Sequence, residues 1–229
     1  VINLSIIIPV LNELTALQRC QMSLYRLRSP TVELIVVDGG SSDGTVQVAR
    51  QITDQVLVCL PGRSRQMNAG AAMASGKVLL FLHIDTELPP GALELLESGL
   101  GACQWGRFDV RLSGRHPAFR VIETAMNLRS RVTSVATGDQ AMFVNAALFR
   151  QLGGFPDLPL MEDVALSKIL RRHGRPLNLA ARVTSSSRRW EQRGILRTVL
   201  LMWRLRLAYF MGADPAVLHR QYYPDRYTD

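Results

Sequence analysis

Acids, amides and arginines in this 229-residue chain gather where short apolar runs stop. Asn12 and Glu13 follow the run Leu4–Val10, Asp38 ends Glu33–Asp38, Arg63 and Arg65 follow Gln55–Leu60, and Asp85 follows Val78–His83. In an open α/β sheet, ligands bind beyond the carboxyl ends of the strands, so these side chains would share one rim. Two carboxylates and two arginines there suit a diphosphate with its divalent cation. Turn and cap duties compete for every Asp, Asn and Gly. They fit Asp43, a good N-cap, better than Asp38 and Asp85, each of which directly ends a buried run. The segment LHIDTELPPG, 82–91, is the most telling. It places Asp85 on a short exposed loop before Pro89, Pro90 and a new helix, where a carboxylate suits Mg²⁺ or Mn²⁺.

A second acidic pair, Glu162 and Asp163, opens a helix expected over Leu160–His173. Asp163 shares an i, i+3, i+7 stripe with Leu166 and Leu170 and should face inward. A first-turn acid answering the helix dipole is the plainer explanation, and it fits Glu162 as well as Asp163. Other chemistries are excluded. The chain has no G-x-G-x-x-G, Walker A or H-E-x-x-H sequence, and its four histidines form no ligand cluster. Cys20, Cys59 and Cys103 are odd in number and lack metal spacing, which suits a reducing, cytoplasmic setting.

The elements that must position these groups follow from the pattern of apolar runs. Strands are expected at Leu4–Val10, Glu33–Asp38, Gln55–Leu60 and Val78–His83. Between them fall helices at Leu14–Leu27, from a Ser42 or Asp43 cap to Ile52, and at Met67–Ser75. Continuous apolar strands alternating with helices argue for a mostly parallel sheet covered on both faces. After Gly101 the pattern loosens. Strands are expected at Gln104–Leu112, Gln140–Val144 and Leu177–Val183, and helices at Ala118–Val132, Leu160–His173 and Ile195–Met211. No linker or repeat separates the halves, so one domain over 1–229 is expected, with a boundary between its halves at 101/102. An apolar share of 47% with 20% charged residues excludes disorder and fibrous structure. The opening VINLSIIIPVLNE reads as a buried strand, not a signal peptide, and no uncharged 18-residue apolar stretch occurs.

In their order, IIIPVLNE (6–13), VDGGSSDGT (37–45), the acidic loop at Asp85, MEDVALSKILRR (161–172) and RRW (188–190) resemble glycosyltransferase family 2. More narrowly, GRSRQMNAGA (62–71), TGDQAMF (137–143) and GGFPDLPLMEDVALS (153–167) resemble a compact bacterial branch of it. The resemblance covers nearly the whole chain. It implies a GT-A fold, with 1–101 binding a UDP- or GDP-linked sugar and 102–229 binding the acceptor. It implies an inverting transfer, with Asp163 as general base beside Glu162. Pro9, Val10 and Leu11 would line the base, with Glu13 beside them, and Asp38 would read the base edge. Arg63, Arg65, Gln66 and Asn68 would belong to the nucleotide pocket, and Gly138, Asp139 and Gln140 would line the sugar or acceptor side. The family's D-x-D reads His83-Ile84-Asp85 here, so Asp85 takes the metal-touching position. His83 stands where an acid usually meets the ribose or a water, which puts the strength of metal dependence in question. Arg188-Arg189-Trp190 resembles a shortened Q-x-x-R-W. Arg189 would hold the diphosphate and Trp190 would offer a flat wall, while the missing Gln favours single transfer over polymer synthesis.

The net charge of +8 asks for an anionic partner. Arg115, Arg120, Arg129 and Arg131 flank one helix, and Arg193, Arg197 and Arg204 fall close to one face of the last. Leu200, Leu201, Trp203, Leu207, Tyr209 and Phe210 supply apolar surface around them. That helix could lie on an anionic membrane, at the inner face of the cell membrane, near a lipid-linked hydroxyl acceptor. A surface or homodimer-forming helix with its arginines in water is the plainer explanation. Two other functions compete with sugar transfer. A sugar nucleotidyltransferase would need a glycine-rich basic loop where this chain has PVLNE, and a binding module leaves the inward acids unexplained. Nucleic acid is not expected, since aromatics are 7% and form no stacking platform.

Overall fold

Apolar β-branched runs in the first eighty residues bury almost every side chain, and alternation sends neighbours to opposite faces. The computed structural model describes residues 1–99 and 103–223, so the boundary expected at 101/102 lies outside the described residues. β1 (Leu4–Val10), β2 (Val32–Asp38), β3 (Val56–Val58) and β4 (Val78–Phe81) are parallel. Ile6, Ile8 and Val10 face α1 (Leu14–Arg26) and α2 (Thr45–Ile52), while Ile7, Ile35 and Val37 face α3 (Arg63–Met73). A Cβ on Gly70 of α3 would stand 2.6 Å from Ile7 and 2.9 Å from Val37, so the small-residue stretch lets this helix lie against the sheet.

The sheet continues into the second half. β7 (Phe143–Asn145) runs antiparallel between β4 and β6 (Trp105–Leu112). β8 (Leu177–Ser185) is parallel to β6, and β5 (Thr86–Glu87) closes the far edge antiparallel to β8. The order is β3-β2-β1-β4-β7-β6-β8-β5. Beyond Gly106, β6 loses its β7 partner, and α5 (Pro117–Thr133) supplies side chains instead. Asn127 bonds both the N–H (2.9 Å) and the carbonyl (3.0 Å) of Val110, and Glu123 accepts from Leu112 N (3.0 Å). The remaining helices are α4 (Ala92–Gly99), α6 (Ala146–Gln151), α7 (Glu162–Leu170), α8 (Arg188–Arg193), α9 (Ile195–Phe210) and α10 (Pro215–Tyr222).

The mostly parallel sheet flanked by helices is as expected, with differences in detail: the strand expected at Gln140–Val144 is Phe143–Asn145, because 138–140 close a 3-10 turn. α3 begins at Arg63 rather than Met67, because its first turn lies over the sheet rim, where polar side chains hide the helical period. β3 shortens to three half-exposed edge residues. β5, α6 and α10 are short and carry no readable period. α9 and α10 pack Leu205 and Leu218 on Leu160 and Met161, directly before α7.

Candidate active site

The carboxyl ends of β1 and β2 are stapled by Gln66, which is buried and donates to Val10 O (2.7 Å) and Val37 O (2.8 Å). Val10 is core, and its carbonyl also accepts from Gly39 N (2.9 Å), with Pro9 and Leu11 half-buried on either side. Asp38 is fully buried, and its carboxylate accepts from Gly40 N (2.8 Å), Ser41 N (2.7 Å) and the Ser41 hydroxyl. It therefore shapes the loop under a ligand and offers no exposed oxygen to a base edge. Asp43 accepts from Leu14 N (3.1 Å) and Thr45 N (3.0 Å), serving the starts of α1 and α2 together.

Beside this rim lies a small, water-sized cavity with an apolar floor of Met67, Phe81, Met142 and Phe155, bordered by His83, Gly138, Glu162 and Asp163. Phe81, Phe149 and Phe155 stack the floor with ring centres 4.8–5.6 Å apart. Asp163, in the first turn of α7, accepts the Gly138 N–H at 2.8 Å, which fixes its carboxylate at the border. Leu166 and Leu170, on its stripe, are fully buried. Glu162 is buried, and Arg63 Nη1 stands 3.6 Å from its carboxylate. Burial pushes the Glu162 carboxyl up, and Asp163 adds to this, against the opposing charge of Arg63.

Gly138, Asp139 and Gln140 form a 3-10 turn. The His83 ring packs on Gly138, where a Cβ would stand 2.3 Å from Cε1 and 2.4 Å from Nε2. His83 Nδ1 is 3.6 Å from Asp139. Desolvation would raise the Asp139 carboxyl, but His83 and the charges of Arg63 and Arg206 hold it below its ordinary range. Asp85 sits two residues beyond His83 on an exposed turn, and its carboxylate has no hydrogen-bond or ion-pair partner among the described residues. Glu13 is close by. Burial lifts its carboxyl, with Arg188 opposing, Asp85 and Asp43 adding, and Arg63 opposing.

Several residues expected at the site have other tasks. Arg65 forms a bidentate, exposed pair with Asp157, at 3.0 Å from Nε and 2.9 Å from Nη2, and so pins α3 to the loop before α7. Asn68 bonds Phe155 O (2.8 Å) and N (2.9 Å) in the same loop. Gln140 is fully buried, bracing Thr137 N (3.2 Å) within its own turn. Ile84 is a core residue whose carbonyl accepts from Cys20 Sγ (3.3 Å). The polar groups of all four are taken up by other parts of the chain. Arg189 stacks 3.7 Å from the Tyr222 ring centre and 4.9 Å from that of Tyr223, while Trp190 is half-buried on α8.

Four contributors escaped the sequence reading. Tyr222 and Tyr223, at the end of α10, reach two of the three arginines expected near the diphosphate: Arg189 by stacking, and Arg63, whose Nη2 donates to the Tyr223 hydroxyl at 3.5 Å. Arg129 of α5 and Arg206 of α9 act electrostatically on Asp163 and Asp139. The available signal was in α5, whose buried face carries Glu123, Asn127 and Ser130 instead of an apolar stripe. An inward polar face marks a helix that serves a site or a sheet edge, and this one serves both.

Residues 5–144 match the profile of Glycosyl transferase family 2, more than half of the chain. The chain belongs to that family. Among curated relatives, it is 36% identical over 90 residues to "Glycosyltransferase AglE" of Haloferax volcanii, covering 35% of this chain and 30% of that protein. It is 36% identical over 91 residues to a "PGL/p-HBAD biosynthesis glycosyltransferase" of Mycobacterium bovis, covering 37% and 36%. The matched segment thus spans about a third of these relatives' length.

Solved structures share the GT-A fold. The mannosyltransferase PcManGT of Pyrobaculum calidifontis, in complex with GDP-Man and Mn²⁺, has a TM-score of 0.65 at 18% identity, covering 96% of this chain and 69% of that one. S. aureus TarS, solved with UDP, has a TM-score of 0.65 at 20% identity, covering 81% and 60%. Glucosyl-3-phosphoglycerate synthase of Mycobacterium tuberculosis, with Mg²⁺ and UDP, has a TM-score of 0.60 at 21% identity, covering 80% and 70%.

Proposed function

We propose that this protein transfers a sugar from a UDP- or GDP-linked donor to an acceptor hydroxyl, with inversion at the anomeric carbon. The observation that carries this reading is Asp163, a carboxylate fixed at the border of an apolar-floored cavity by two backbone N–H groups, those of Gly138 and Val164. It stands beside Glu162, Arg63 and His83, on the rim where an α/β sheet binds ligands. Asp163 takes the acceptor proton as the acceptor oxygen bonds to the anomeric carbon from the face opposite the leaving diphosphate. The carbon–oxygen bond to the diphosphate breaks with its electron pair, and Arg63 faces the charge that develops. Glu162 holds Arg63 in place through their ion pair.

The residues present fit a divalent cation. Among the described residues no three His, Cys, Asp or Glu side chains gather into a metal cage, but Asp85 offers one free, exposed, hard-oxygen carboxylate. Mg²⁺ is commonly held by one or two carboxylates and substrate phosphates. Bound there, it would neutralise the diphosphate leaving group. His83 is committed to Asp139 and Gly138, so Asp85 is the ligand the protein supplies.

A lipid-linked acceptor is the second part of the reading. On α9, Leu196, Leu200, Trp203, Leu207 and Phe210 recur at helical spacing and are 57–78% exposed. This apolar stripe suits the interface of an anionic membrane. No described helix is long and apolar enough to cross one. The test of the donor side is a thermal-shift panel of UDP-, GDP- and dTDP-sugars with and without Mn²⁺. At least one nucleotide should stabilise the protein, and stabilisation by none would sink the reading. D163N should lose transfer while keeping nucleotide binding, and wild-type transfer by D163N would remove the base assignment.

A further inference from the structure

The side chains of two arginines near Asp163 form no hydrogen bond or ion pair among the described residues, and one of them has buried donors. Arg129 Nε and Nη2 are buried without a hydrogen-bond acceptor. Arg206, on a different helix, makes no hydrogen bond or ion pair among the described residues. Asp163 itself accepts from Gly138 N and Val164 N, and the other acids nearby are in ion pairs. Arg107 and Arg131 take Asp109, Arg120 and Arg182 take Glu123, Arg63 takes Glu162, and His83 pairs with Asp139. Burial lowers the guanidinium of Arg129 to about 10, and Arg206 adds to this while Asp163 opposes it. Arg206 is lowered by burial too, with Asp163 and Asp139 opposing.

Buried donors without acceptors are rare because they cost the full desolvation of the group. Two like charges drawn together from α5 and α9 add repulsion to that cost. A ligand that supplies acceptor oxygens and negative charge removes both penalties. Two guanidiniums from different helices match a tetrahedral dianion, whose oxygens accept from both at once. Both guanidiniums feel the charges of Asp163 and Asp139, so a group held between them would lie near the proposed base.

We propose that Arg129 and Arg206 form a phosphate-binding subsite, and that the acceptor is a phosphorylated compound whose hydroxyl this grip presents to Asp163. This rests on the transferase reading above. The shared chemistry is a phosphate monoester, carried by a soluble metabolite or by a lipid at the α9 surface.

The probe is inorganic phosphate, titrated calorimetrically at constant ionic strength against chloride, into wild type, R129Q, R206Q and R206K. Wild type should bind phosphate, R129Q and R206Q should each weaken it about tenfold or more, and R206K should fall between. Absence of phosphate binding in wild type, or binding unchanged in both Gln variants, overturns the proposal. Melting curves check that each variant folds, and R206K carries the test if a Gln variant does not. A second arm floats the protein with phosphatidylcholine vesicles with or without a polyisoprenyl monophosphate. Phosphate-dependent retention that R206Q abolishes supports the site with a lipid source, and phosphate binding without retention supports it with a soluble one. UDP and GDP binding, measured in parallel, separates the two readings. Lost nucleotide binding strikes the transferase assignment, whereas intact nucleotide binding with no phosphate arm strikes this proposal alone.

Discussion

Gly138→Ala tests whether His83, Gly138 and Asp163 form one packed unit. Gly138 lies in a 3-10 turn and is not among the glycines with left-handed backbone, so alanine meets no conformational objection. The objection is spatial. The new Cβ would stand 2.3 Å from the His83 ring, whereas ordinary contacts begin near 3.4 Å, so the imidazole must withdraw by about 1 Å. Overpacking of this kind costs about 1–3 kcal/mol. In a His83→Ala background the obstructing ring is gone, and the same substitution should cost nearly nothing, because Ala at a permitted φ also reduces unfolded-state entropy. The two changes should therefore couple by about 1–3 kcal/mol in a double-mutant cycle read by urea unfolding. Additivity within about 0.5 kcal/mol would refute the packing argument. Under the proposed mechanism, a 1 Å displacement at the cavity border should also cost about a hundredfold in transfer rate.

Three further outcomes are expected. Asp85→Ala should remove most stimulation by Mg²⁺ or Mn²⁺ in an activity titration, and an unchanged metal dependence would show that Asp85 is not the ligand. Glu33, far from the site, accepts from the Ser5 hydroxyl, Ser75 N (2.6 Å), Gly76 N (3.2 Å) and Gln55 (3.1 Å). Desolvation would raise its carboxyl, but these donors hold it below its ordinary value near 4.5. Glu33→Gln should cost about 2–3 kcal/mol at pH 7. With the folded-state value depressed, that advantage is full above about pH 4.5 and fades as pH falls through the folded value, so wild-type and variant unfolding curves should converge in acid. Wild type should float with anionic vesicles at low salt, and replacing the exposed Trp203 and Phe210 by Glu should abolish it. Absence of flotation by wild type removes the membrane reading.

The first-half strands were legible because parallel strands buried on both faces read as unbroken apolar runs, and those runs ended where the rim begins. Asp163, Glu162 and Arg63 were legible by type and position, and they do meet. What misled was the assumption that a polar residue near a site serves the ligand. Arg65, Gln66, Asn68 and Gln140 are consumed by carbonyls, backbone amides or Asp157, and no one-dimensional pattern records which way an amide points. Arg206 was hidden for the opposite reason. On α9 it follows Leu205, the residue that faces the core, and a single cation beside an apolar position looks like helix surface.

β7 joins β4 to β6 in the middle of the sheet, and the family match ends at Val144, inside that strand. The stretch shared with the family and the stretch that follows are thus hydrogen-bonded into one fabric. A chimera cut at this point would sever the strand that both halves need to close their cores. Changes that keep this sheet intact are those made in side chains and loops, rather than the exchange of one half for another.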